Sequence, residues 1–101
     1  MIRWHAPRKL HETVTAENWR QGSYGWDTDR LCLGAHIREA YGLTGLNDRV
    51  GPLVVEAIMT LYPDRVDCFA TQFALLPISA FNDHADTTVE DVVRVLKLVD
   101  A

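Results

Sequence analysis

Apolar positions recur at helical spacing over most of this chain. The opening is the exception. Leu10, Glu12 and Val14 alternate with polar neighbours, but Glu12 spoils an apolar strand face, so residues 9–15 read as strand or helix. A helix is expected from about Thr15 as N-cap, with Glu17 in its first turn and Gly22 as its stop, followed by a loop over 21–29. A second helix opens at Asp27 or Thr28. Leu33, Ile37, Ala40 and Tyr41 form one stripe, Cys32, His36, Arg38 and Glu39 lie opposite, and Gly42 ends it.

A third helix is expected to start between Asp48 and Gly51, with Pro52 tolerated in its first turn. From Leu53 to Tyr62 only Glu56 and Thr60 are polar, so this helix is central in the core or covered by a partner chain. Pro63 stops it. Asp64 then caps a fourth helix through Val66, Phe69, Ala70, Phe73 and Leu76, closed by Pro77, with a strand over 67–75 as the alternative. One further turn over 77–81 and a polar loop over 82–86 follow. In the last helix Thr87-x-x-Glu90 and Thr88-x-x-Asp91 both read as capping boxes. Val89, Val92, Val93, Leu96 and Val99 make its face, and Glu90 and Arg94 stand in the favourable order four apart. The pattern predicts a mainly α single domain over residues 1–101, of about five helices, with or without a short extended segment at the N-terminus.

Composition narrows the function classes. The 101 residues are 48% hydrophobic and 24% charged, which excludes a wholly disordered chain. The net charge of −4 is the wrong sign for general nucleic-acid binding. No apolar run approaches the roughly 20 residues of a membrane span, and no hydrophobic stretch follows the N-terminal charges. A cytoplasmic protein with Cys32 and Cys68 as free thiols is the expectation.

Four groups carry candidate chemistry. Cys32 and His36, four apart on a helix, are a conceivable metal pair, but a semi-buried thiol beside an exposed imidazole is the plainer reading, and no metal or other cofactor is expected. Asn82-Asp83-His84-Ala85-Asp86 is the densest polar group. An Asp–His pair does general acid–base work where a cleft desolvates it, yet Asn and Asp also close turns by bonding local backbone. The second use is expected, with Asn82 and Asp83 bonding backbone of their own loop. Ser23 and Ser79 lack nucleophile-elbow surroundings, and no phosphate-binding glycine loop is present. Finally, Trp19, Arg20, Tyr24 and Trp26, with Trp4 nearby, combine residue types enriched at binding sites; covering one end of a small core is the competing use.

Three stretches together carry a resemblance. Trp19-Arg20-Gln21-Gly22 is similar to a "W-x-Q-G" element, and Cys32-Leu33-Gly34-Ala35 to a "C-L-x-G-A" helix. Phe81-Asn82-Asp83 followed by Thr87-Thr88-Val89-Glu90-Asp91-Val92 is similar to a "W/F-N-D … T-x-x-[DE]-V" ending. In this order they resemble a family of small uncharacterised actinobacterial and actinobacteriophage proteins, a domain of unknown function. The resemblance implies a small helical domain and supplies no activity.

The expected function is a non-enzymatic binding or regulatory protein, in its specific form a phage accessory protein acting on a host component. A small-molecule binder that holds a nucleotide signal at the Trp/Arg cluster is the alternative, and a small hydrolase at Asn82, Asp83 and His84 is a third class. The apolar stretch Leu53–Tyr62 further predicts a homo-oligomer.

Overall fold

The computed structural model describes residues 9–22, 30–66 and 76–101. The described residues form a mainly helical domain: α1 (Leu10–Thr13), α2 (Leu33–Thr44), α3 (Val50–Leu61), α4 (Leu76–Asp83) and α5 (Val89–Leu98). A π-helical turn, Gly45–Arg49, joins α2 to α3, and a 3-10 turn, Pro63–Arg65, follows α3.

One apolar core joins the five elements. Leu33 and Ile37 of α2, Val54 and Ile58 of α3, Phe81 of α4 and Val92, Val95 and Leu96 of α5 are fully buried. Leu10 and Val14 close it from the α1 side. They lie four apart, so a helical turn puts both on one face where strand alternation would have enlisted Glu12. In α5, Val95 takes the central place that the sequence pattern gave to Val93, which is only half-buried.

The helix expected from Thr15 to Gly22 is absent. Asn18 closes a turn instead: its Oδ1 accepts from Thr15 N at 2.8 Å and its Nδ2 donates to Thr13 O at 2.8 Å. The chain then runs extended, and Trp19 pairs in parallel with Leu31 through Arg20 N to Leu31 O and Leu31 N to Asn18 O. That pairing also holds 31–32 out of the helix expected from Asp27 or Thr28. Those two residues lie outside the described ones, but α2 begins only at Leu33.

Within α2 the buried side is Leu33, Ala35, His36 and Ile37, so Cys32 and His36 belong to the interior, while Tyr41 is exposed. Gly42 does break the helix at φ +78°, as expected, but the chain re-enters helix at once. The fold-back presses Gly45 onto Tyr41: a Cβ on Gly45 would meet Tyr41 Cβ at 2.6 Å.

The fourth helix is also displaced. Asp64 sits in the 3-10 turn and Val66 is extended; 67–75, with Phe69, Phe73 and Cys68, lie outside the described residues. Pro77 stands in the first turn of α4, where its missing N–H costs nothing, rather than closing a segment. Asn82 and Asp83 are consequently the last residues of a helix, not part of a loop. At α5 the capping box is Thr88 with Asp91: Thr88 Oγ1 accepts from Asp91 N and Asp91 Oδ2 accepts from Thr88 N.

Candidate functional site

Asn82 is 1% exposed and spends its whole amide inside the fold. Its Oδ1 accepts from Trp19 Nε1 at 2.6 Å and from Leu33 N at 2.9 Å. Its Nδ2 donates to Arg20 O at 3.1 Å and to Asp83 Oδ1 at 2.9 Å. An amide has two acceptor sites and two donors, so no capacity remains. The bond to Leu33 N has a local cause. The N-cap of α2 is Cys32, whose side chain caps nothing, and the first helical N–H groups have no intrahelical partner. Asn82 caps α2 from the end of α4.

The neighbours complete the seam. Asp83 Oδ1 accepts from Gly22 N at 2.7 Å, and Gln21 Nε2 donates to His84 O at 2.6 Å. Gly22 sits at φ +96°, a conformation that glycine supplies without strain and that aims its N–H at Asp83. Trp19, Arg20, Gln21 and Gly22 thus each bond to the Asn82–His84 stretch.

Of the candidate residues, Trp19, Arg20, Asn82, Asp83 and His84 come together; Tyr24 and Trp26, like Trp4, lie outside the described residues. Asn82 and Asp83 bond partners more than 45 positions away as well as each other, so the expectation that they serve their own loop is corrected. The loop looks after itself: His84 Nδ1 accepts from Asp86 N at 3.1 Å and Thr87 N donates to His84 O. Trp19 is half-buried with its indole N–H committed, and the Arg20 guanidinium donates to Gln21 O.

The His36 ring is bonded to backbone of the segment before α2. Its Nε2 lies 2.9 Å from Asn18 O, which fixes Nε2 as the protonated nitrogen. Burial pushes this imidazole below its ordinary pKa, against a smaller opposing effect of the Asn18 carbonyl. Among the described residues no three His, Cys, Asp or Glu side chains gather into a group able to hold a metal.

A second polar cluster was missed by the sequence reading. Tyr62 Oη donates to Asp91 Oδ1 at 3.0 Å and accepts from Arg94 Nη1 at 3.0 Å. Arg65 Nη1 closes on Asp91 Oδ2, and its guanidinium lies 4.5 Å over the Tyr62 ring, which stacks on Phe81 at 5.3 Å. Burial alone would raise the Asp91 carboxyl, but the bonds from Arg65, the Thr88 backbone and Tyr62 hold it below its ordinary range. Arg94 therefore serves Tyr62 rather than the expected Glu90. The only sequence signal was Asp91 at the capping position.

Two surface grooves flank α5. One, of about 420 Å³, runs between α3 and α5 and is lined by Leu53, Glu56, Ala57, Thr60, Leu98 and Val99. Leu53 and Leu98 are 51% and 54% exposed at its side. The other lies between α1 and α5, over Val14, Val89 and Val93 with Arg94 and Lys97. Among the described residues no helix is long and apolar enough to cross a membrane.

Residues 8–99 match the model of a family described as a family of unknown function, DUF6197. No curated protein and no solved structure matches the chain.

Proposed function

We propose that this chain, which belongs to the DUF6197 family of unknown function, is a non-enzymatic binding or regulatory protein whose contact surface is the face formed by α3 and α5. The observation that carries the reading is the exposure of Leu53 and Leu98 beside an apolar groove. Large apolar side chains grouped around a groove mark interaction sites more often than they mark bare surface. The densest polar cluster supports the reading from the other side. Asn82 has nothing left to offer a substrate, and Asp83 and His84 bond protein groups. The motif resemblance adds the finer form of the proposal: an actinobacterial or phage accessory protein acting on a host component in the cytoplasm.

Affinity capture with mass spectrometry tests it, comparing the wild type with the Leu53→Glu/Leu98→Glu variant. A partner, a further copy of this chain included, held by the wild type and lost by the folded variant supports the reading. A hydrolytic activity that Asp83→Ala abolishes without moving the melting temperature overturns it.

A further inference from the structure

We propose that residues 15–22 are a strap which His36 latches to the start of α2 and the end of α4, and which protonation of the His36 ring releases while the helical core stays folded. The strap has little apolar anchorage. Of its residues only Trp19 packs against the core, and Thr15, Ala16, Glu17, Gln21 and Gly22 are exposed. Leu10 and Val14, just before it, are buried and give it a fixed hinge. A segment held by hydrogen bonds more than by buried apolar contacts opens at a lower free energy than the domain as a whole.

Those bonds run in series from the ring. His36 Nε2–H donates to Asn18 O, which also accepts from Leu31 N at 2.8 Å. Leu31 O accepts from Arg20 N, and Arg20 O accepts from Asn82 Nδ2. The Asn18 side chain bonds Thr15 N and Thr13 O, within the strap and its hinge, so this turn is able to move as a unit.

The neutral ring suits this place and the charged one does not. His36 is 8% exposed, and a proton added at Nδ1 brings in a further donor and a charge that burial penalises. The charged and titratable groups of the surrounding elements are engaged elsewhere, exposed or neutral. Cys32, one turn earlier on α2, is a buried thiol. Arg30, Arg38 and Glu39 beside or on α2, Glu12 on α1, Glu17 on the strap and Asp48 and Arg49 in the π-helical turn are exposed. On the strap the Arg20 guanidinium donates to Gln21 O, and on α1 His11 pairs with Asp100. On α4 Asp83 accepts from Gly22 N and Asn82 Nδ2, and on α3 Glu56 lines the α3–α5 groove. Burial therefore governs the ring, opposed by the Asn18 carbonyl. Opening the strap gives the charged ring water at the cost of one partly buried apolar residue, Trp19.

Hydrogen exchange read by NMR from about pH 7.5 to about pH 5, corrected for the intrinsic rate, tests the proposal. The backbone N–H groups of Arg20, Gly22 and Leu31 and the Trp19 indole N–H are expected to exchange at least about tenfold faster than those of Ile58 and Val95, and low urea should not change their protection. Below about pH 6.5 that protection should fall by about tenfold per pH unit, the slope of one proton taken up on opening. The fall should level off where the folded His36 ring itself titrates. His36→Gln keeps an N–H donor and should abolish the slope. His84→Gln alters the other imidazole at the junction and should leave it. Strap groups that exchange together with the core, protection that does not vary with pH, or a slope that survives His36→Gln or vanishes in His84→Gln overturns the proposal. If His36→Gln does not fold, the wild type decides: a slope that levels off away from the folded ring's own titration overturns it.

Discussion

Trp19 Nε1 and Asn82 Oδ1 lie 2.6 Å apart although 63 positions separate the two residues in the chain. The same oxygen caps α2 at Leu33, so one buried amide ties the start of α2, the extended segment before it and the end of α4. Three short motifs that look unrelated in sequence are three sides of one junction. Their role is to fix the positions of α2 and α4, and so of the core face that α3 and α5 pack against.

Removing that amide should be costly. In Asn82→Ala the Trp19 indole and the buried Leu33 N–H lose their acceptor, and an unsatisfied buried donor costs about 1–3 kcal/mol. A loss of about 3 kcal/mol in urea or thermal unfolding is expected. Asn82→Asp keeps the acceptors but sets a carboxylate beside Asp83 and the Arg20 carbonyl. Burial beside those groups raises the new carboxyl's pKa in the folded state, so this variant should be most stable below about pH 4, the unfolded value, and lose stability as the pH rises above it. A variant as stable as the wild type at pH 7 would remove the junction's structural role.

The helices were legible where the period was long and the caps were local. α5 announced itself through Thr88 and Asp91, and α3 through its apolar run and Pro63. The junction was not, because its bonds are long-range: a sequence shows that Asn82 is able to bond backbone, not that the backbone is that of Arg20 and Leu33. The same gap misplaced the start of α2. Turn residues predicted a helix from Asp27 or Thr28, but an isolated bridge to Trp19 holds Leu31 extended and hands capping to a residue from another element. Proline carried an ambiguity that local rules leave open, since it ends one helix and opens the next; at Pro77 it opens α4.

Asp91 gives the fold an acid-labile tie. Its carboxyl is 15% exposed and sits below its ordinary pKa because Arg65, the Thr88 backbone and Tyr62 bond its charged form, against the effect of burial. A depressed folded pKa means stabilisation that is complete above the unfolded value of about 3.9 and fades as pH falls through the lower folded value. Asp91→Ala should cost about 1–2 kcal/mol at neutral pH, combining the lost cap with the lost Tyr62 and Arg65 contacts. The difference in melting temperature between wild type and variant should narrow below pH 4. A gap that is constant from pH 7 to pH 2 would show that Asp91 acts without its charge.

Gly45→Ala sets two effects against each other. Gly45 has helical dihedrals, φ −60° and ψ −42°, where alanine is ordinarily favoured by about 1 kcal/mol. The new methyl, however, would lie 2.6 Å from Tyr41 Cβ, an atom fixed to the backbone rather than the free end of a flexible side chain. The clash wins, because relief requires moving the break at Gly42. A lower melting temperature for Gly45→Ala is expected, and a rise would show that the Gly42 fold-back relaxes freely.

His36 supplies the last prediction, at near-neutral pH. Its imidazole is 8% exposed, and its Nε2–H donates to the Asn18 carbonyl that also holds Leu31 N. Burial disfavours the charged ring and lowers the folded pKa below the ordinary value of about 6.5. The unfolded chain therefore takes up the proton first, so stability is complete above about pH 6.5 and declines as pH falls from there toward the lower folded value. His36→Gln retains an N–H donor without a titrating group, and should remove this part of the slope between pH 7 and pH 5 while keeping the Asn18 contact. NMR titration of the His36 ring in the folded wild type, expected to end below the free-histidine value, checks the cause directly. A His36 resonance that titrates above 6.5 would mean that the Asn18 carbonyl, not burial, governs this ring, and the predicted slope would change sign.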